Sequence, residues 1–185
     1  NRDLWPARRA WQTTLRSNSD VWFPGPESAE CQSEPVVTNA GQLQLIDPDS
    51  GQVRWSVTIA ESVNEVAIAG DVLAIASSAS IIARNRHDGR LVWRRVIGDG
   101  DSRRIDIRSA GRDKNFLVLA ESQVVELDSR NGSEVWSWPT DARPVSKPAA
   151  DRFPADWTIS SDRLLFRPAG AKDYGLIDLH DGRLL

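Results

Sequence analysis

The 185-residue sequence contains a single cysteine, Cys31, no methionine, one tyrosine and two histidines. One thiol makes no internal disulfide, and it excludes metal clusters that need several cysteine ligands. No run of about 18 apolar residues occurs, so no segment reads as a membrane-spanning helix. Strong charge of one sign is missing too. The formal net charge of -3 is too mild to point to nucleic acid or to a membrane surface. Arginine outnumbers lysine 20 to 3, which reads as coding bias rather than function. A signal peptide is absent, and the chain opens Asn1-Arg2-Asp3 rather than with Met, so a processed or excised piece is expected.

What the sequence does contain is repetition. HDGRLVW, from His87 to Trp93, returns as HDGRLL from His180 to Leu185. The underlying pattern is Asp or Asn, three residues, Gly, three residues, Trp. It fits Asp47-Gly51-Trp55, Asn85-Gly89-Trp93 and Asp128-Gly132-Trp136, and again Asp178-Gly182, where the chain stops before a tryptophan. Asp3-Ala7-Trp11 reads as a degraded first copy. The glycines lie 38, 43 and 50 residues apart, which marks a repeat protein.

Each period holds about four short apolar runs and little helical periodicity. VAIA (66–69), VLAIA (72–76), SIIA (80–83) and RLVWRRVI (90–97) predict four strands, and IDI (105–107), FLVLA (116–120), VVEL (124–127) and EVWSW (134–138) predict four more. Four strands per period of this length is the signature of propeller blades. Asp or Asn followed by Gly four residues later suits a tight turn, in which Gly supplies a positive φ. The tryptophan four residues further falls on the last strand. Its ring can be buried while its N–H donates, as a contact fastening one blade to the next would require.

IDPDSGQVRW (46–55), RNRHDGRLVW (84–93) and ELDSRNGSEVW (126–136) resemble the tryptophan-docking repeats of the pyrroloquinoline-quinone-like β-propeller family, whose pattern is roughly A-x-D-x-x-T-G-x-x-x-W. The Thr before Gly is Ser50, Asp88, Asn131 and Asp181 in this sequence. The resemblance implies an all-β propeller of four-stranded antiparallel blades. About four blades are visible, as part of a larger seven- or eight-bladed ring. A single propeller region over 1–185 is expected, with units ending near Trp11, Trp55, Trp93 and Trp136, a last truncated unit at 156–185, and irregular loops at 17–35 and 139–154. The alternatives are a small closed ring, in which Arg8 to Thr14 complete the blade of Trp157 to Leu179, and an open or partner-completed array. Functions in the family range over quinoprotein dehydrogenases, the lipoprotein scaffold of the outer-membrane barrel-assembly machine, lumenal stress sensors and kinase-linked sensors. The resemblance also implies an extracytoplasmic location.

Catalytic residues are harder to find. His87 and His180 sit two residues before equivalent glycines, so a turn role explains both. No G-x-S-x-G elbow occurs. IDPDSG (46–51) lacks the third ligand and distal glutamate of an EF-hand loop, and Asp99-Gly100-Asp101 reads as an inter-blade loop. Quinoprotein dehydrogenases resemble one another in a vicinal cysteine pair, a calcium-binding Glu/Asn/Asp set and an in-plane tryptophan. None of these maps onto this chain. Neither a catalytic residue, a cofactor nor a metal is therefore expected. Two features remain as candidates for binding a partner. Trp22 and Phe23, among prolines and acids, either anchor a partner or lie buried in an inner strand. Nine arginines against four aspartates from Arg84 to Arg112 include Arg84 and Arg86, which would share one face of a strand. They suit an anionic partner or simply solvate an exposed strand. A proline-rich stretch at Pro139 to Pro154 covers the ring face or joins blades passively. The expected function is a non-enzymatic protein-binding or scaffold domain. Its partner is another protein, completing the ring or pairing a free strand edge, with no nucleic acid and no direct membrane insertion. A fragment of a quinoprotein dehydrogenase and a sensor domain of a membrane receptor or kinase are the alternatives.

Overall fold

A computed structural model describes residues 19–22, 34–39, 41–97, 105–110, 115–120, 123–138, 156–160, 162–167 and 174–185. The chain divides into two compact units, Asn1–Ala60 and Glu61–Leu185. Among the described residues every regular element is a strand.

The first unit holds one antiparallel sheet with strands in the order β1 (Val21–Trp22), β2 (Val36–Asn39), β3 (Gln42–Ile46) and β4 (Val53–Thr58). The second unit holds three sheets. One runs β5 (Glu65–Ala69), β6 (Val72–Ala76), β7 (Ser80–Asn85), β8 (Leu91–Val96), and the next β9 (Ile105–Ala110), β10 (Asn115–Ala120), β11 (Gln123–Asp128), β12 (Glu134–Trp138). The last is three-stranded, β13 (Asp156–Ser160), β14 (Arg163–Arg167), β15 (Gly175–Asp178), with a single bridge from Ile177 to Leu184 where a fourth strand would begin. All neighbours are sequential and antiparallel, the meander of a propeller blade.

Stacking of these sheets explains the composition of the strands. Phe116 and Val118 of β10 enter a core with Ala67, Ala74, Ile81 and Trp93 of the preceding sheet. Leu117 and Leu119, on the opposite face of the same strand, pack with Leu164, Phe166 and Ile177 of the following sheet. A strand covered on both faces has no polar face to alternate with, which is why FLVLA reads as one continuous apolar run. The outer strands differ. In both β4 and β8 the tryptophan is buried and its immediate neighbours are exposed.

Each outer strand also carries an irregularity that the sequence pattern did not announce. The register shifts between Leu45 and Ile46 against β4, between Ala83 and Arg84 against β8, and between Glu126 and Leu127 against β12. One extra residue therefore stands just before each tryptophan: Arg54, Val92 and Val135. A bulge adds local twist and re-aims the following side chain. Its recurrence at the same repeat position ties it to the placement of the tryptophan.

Candidate functional site

The repeat signature builds a turn and a dock, and the turn is the same four times. The amide of Gly51, Gly89, Gly132 and Gly182 donates to the carbonyl of Asp47, Asn85, Asp128 and Asp178 at 2.8–2.9 Å. Each of those four residues in turn donates its own amide to the carbonyl of Gln52, Arg90, Ser133 or Arg183. The four glycines have φ near +70°, a conformation that side chains with Cβ resist. The leading Asp or Asn closes the turn with its side chain. Asn85 Oδ1 accepts from the amide of His87 at 2.8 Å, and Asp178 Oδ1 accepts from that of His180 at 2.8 Å. Both histidines thus contribute backbone to the turn, and the His87 ring lies exposed beside Asp71.

The position that is Thr in the family pattern has a role of its own. Ser50, Asp88, Asn131 and Asp181 each accept, through a short side-chain oxygen, the amide of the residue after the glycine, at 2.8–3.3 Å. Any residue with a side-chain acceptor two or three bonds from Cα can do this, so the replacements preserve the device. Asp47 accepts in addition from Arg54, which also pairs with the buried Glu34. The Ser50 amide and the Arg54 guanidinium hold the Asp47 carboxyl well below the usual carboxylate range.

The dock follows from the turn. Trp93 Nε1 donates to the carbonyl of Ser129 at 2.7 Å, and Trp136 Nε1 donates to the carbonyl of Leu179 at 3.3 Å. Ser129 and Leu179 each follow the first residue of the next repeat's turn. The rings lie against the turn glycines. A Cβ added to Gly132 would sit 2.7 Å from Cδ2 of Trp93, and one on Gly182 would sit 2.5 Å from Cδ2 of Trp136. Each glycine therefore serves both as the positive-φ residue and as the floor for an indole. Trp93 also meets Phe116 edge-on at 6.2 Å, and Trp138 meets Phe166 at 5.1 Å. Arg95 reinforces the first dock, donating to the Gly132 carbonyl at 3.0 Å and pairing with Glu134 at 2.9 Å.

The remaining candidate residues take varied places. Trp22 lies half-buried on the edge strand β1 opposite Val36, beside an exposed Val21. Phe23, Cys31, Trp11 and the stretch at 139–154 lie outside the described residues. Arg84 does not share a strand face with Arg86, because β7 ends at Asn85 and Arg86 falls in the turn. The Arg84 guanidinium donates to the carbonyl of Gly89 at 2.8 Å, closing its own turn, and burial lowers its pKa. Arg86 reaches the carbonyl of Gly70 at 3.5 Å. Among the described residues no group of three His, Cys, Asp or Glu side chains is placed to hold a metal ion.

Sequence reasoning missed one polar cluster. Glu61 accepts from the buried hydroxyls of Ser77, just after β6, and Ser80, the first residue of β7, and pairs with Arg94 on β8. The apolar neighbours of those serines hid the cluster; two serines three apart around a turn were the only signal. The hydroxyls of Ser77 and Ser80, then Arg94, depress the Glu61 pKa. A carboxylate with a lowered native pKa stabilises the fold fully above its ordinary value and loses that contribution as pH falls through the native one. The urea midpoint of Glu61→Gln is therefore expected to lie below that of the wild type at neutral pH. The gap should close as the pH is taken below about 4.

The family model described as outer membrane protein assembly factor BamB matches residues 7–183. No curated protein matches the sequence significantly. Among solved structures, BamB from Moraxella catarrhalis superposes with a TM-score of 0.63 at 21% identity, over 83% of this chain and 45% of its own. A dihydro-heme d1 dehydrogenase, NirN, superposes with 0.60 at 16% identity, over 82% of this chain and 34% of its own. The WD40 domain of Neurospora crassa Pan2 gives 0.55 at 11% identity, over 82% and 48%. The chain spans less than half the length of each. At these identities the likeness shows the fold, a β-propeller.

Proposed function

This chain belongs to the family of outer membrane protein assembly factor BamB, and from that premise we propose that it is a non-enzymatic protein-binding or scaffold propeller domain acting outside the cytoplasm. The observation that carries the proposal is the use made of the signature residues. The indoles of Trp93 and Trp136 are docked on the next turn, and the backbones of both histidines close turns. The residues that recur in phase thus support the scaffold. The outer strands meanwhile present apolar side chains to solvent, with Leu91 at 58%, Val96 at 68% and Val135 at 51% exposure. Exposed apolar positions along strand edges suit a protein partner, which can cover them and pair with the edge.

We further propose that residues 1–185 belong to a single propeller region, with one blade per sequence repeat. Partner binding through Trp22, Phe23, Arg84 and Arg86 is part of the proposal.

Two arms of one experiment test the function. Binding of pyrroloquinoline quinone is read first, because the rival is a dehydrogenase. Pyrroloquinoline quinone with calcium, at about 100 times a dissociation constant, would stabilise a specific site by about 2.7 kcal/mol. The scaffold reading predicts an unchanged melting temperature, and a clear rise would overturn it in favour of the dehydrogenase. A photo-crosslinker at Val135 in cells should then yield one defined protein adduct, and none when placed at the buried Leu127. A sensor role predicts instead that any adduct depends on an output domain of the same polypeptide.

A further inference from the structure

Asn131-Gly132 is the one Asn-Gly pair in the sequence, and it occupies the turn on which Trp93 docks. We propose that it is a covalent modification site whose reaction is gated by that dock. Glycine has no Cβ to shield its amide nitrogen, so a preceding asparagine is open to attack on its side chain. In the step, the Gly132 nitrogen bonds to Asn131 Cγ, the Cγ–Nδ2 bond breaks, and ammonia leaves with the proton from the Gly132 amide. The cyclic imide then takes up one water at either carbonyl and opens to aspartate or to isoaspartate. The net change is hydrolysis of the side-chain amide to a carboxylate and ammonium, with no redox partner.

The folded turn opposes every part of this step. The Gly132 N–H is held by the Asp128 carbonyl at 2.9 Å, which ties up the proton that the nitrogen must lose to attack Asn131 Cγ. The carboxamide is fixed as well, with Oδ1 accepting from the Ser133 amide at 2.8 Å, a bond it must give up to rotate into the ring. The Trp93 ring, within 2.7 Å of where a Gly132 Cβ would lie, and the Arg95 bond to the Gly132 carbonyl leave that residue little room to move. Ring closure therefore requires the turn to open, and opening the turn removes the floor from under Trp93.

The two products differ in consequence. Aspartate at this position matches Asp88 and Asp181, which accept the equivalent amides at 3.0 Å in their own turns. Isoaspartate routes the main chain through Cβ and Cγ and lengthens it by one carbon. The bond from the Gly132 amide to the Asp128 carbonyl then falls out of register, and Gly132 no longer lies beneath the indole.

Peptide mapping by mass spectrometry of the full chain, held in mildly alkaline buffer, follows both products at residue 131. The rate in the native chain is expected to be at least about tenfold below that in the same chain in denaturant, because reaction proceeds only from the open turn. Trp93→Phe, which keeps an aromatic ring but lacks the N–H, is expected to react faster than wild type. The isolated isoaspartyl form should melt below the wild type, and Asn131→Asp should melt with it. Equal rates in native and denatured wild-type chain would overturn the proposal whatever the variant does. A folded Trp93→Phe with the wild-type rate would overturn the gating, and so would an isoaspartyl form that melts with the wild type.

Discussion

Trp93→Ala is expected to destabilise the Glu61–Leu185 unit by about 3–5 kcal/mol, and to lower its melting temperature by roughly 10 °C or more. The ring is 8% exposed and stands in the core shared by β5–β7 and β9–β11, where it meets Phe116 edge-on. Truncation opens a cavity between two sheets that cannot both collapse into it, because their ladders are fixed by backbone hydrogen bonds. It also leaves the Ser129 carbonyl without its 2.7 Å donor, an added cost of about 1 kcal/mol or more for a buried acceptor. A control on the same strand separates this from a general effect of altering β8. Val96 is 68% exposed, so Val96→Ala should change stability by no more than about 0.5 kcal/mol. Thermal or urea unfolding of the three proteins decides the matter. If Trp93→Ala cost as little as Val96→Ala, the indole would not be fastening the sheets.

Gly132→Ala is the second large effect, and it acts from the other side of the same contact. Two costs combine. At φ +70 an alanine is strained by about 1–2 kcal/mol. Its Cβ would also lie 2.7 Å from Cδ2 and Cε3 of Trp93, so the ring or the turn must shift. Gly41 isolates the first cost, since its φ is +77 and the nearest atom to an added Cβ is the Ile59 carbonyl oxygen at 3.9 Å. Gly41→Ala is thus expected to cost only the conformational part, and Gly132→Ala clearly more. Unfolding free energies of the two variants measure the difference. Equal losses would mean that the space above Gly132 is not needed by the indole.

Much of this was legible in the sequence, for a physical reason. Strands covered on both faces appear as unbroken apolar runs, so VLAIA and FLVLA located β6 and β10 closely. The recurring Asp or Asn and Gly are side-chain requirements of a fixed turn, and side-chain requirements leave a mark in sequence. Strand ends were less visible. SIIA was expected to stop at Ala83, but β7 continues to Asn85 because its ladder with β8 runs up to the turn. IDI likewise extends to Ala110 as β9, through polar residues paired with β10. The bulges before Trp55, Trp93 and Trp136 left no signature, since the extra residue is Arg54 in one repeat and a valine, Val92 or Val135, in the other two, and any residue can stand there. The acceptors of the indoles were invisible for a related reason: they are main-chain carbonyls, at Ser129 and Leu179, where any residue would serve. The Glu61 cluster joins residues 16 to 33 positions apart, beyond the reach of a local pattern.

The claim that the repeat signature is a fastening device is tested most directly by a double-mutant cycle of Trp93→Ala and Gly132→Ala, read by urea unfolding. Once the indole is gone, the alanine at 132 meets open space, and only its backbone strain remains. The account predicts that Gly132→Ala costs less in the Trp93→Ala background than in the wild type, with a coupling of about 1–3 kcal/mol. Additive losses, agreeing within about 0.5 kcal/mol, would contradict it, because they would mean that the ring and the glycine act independently.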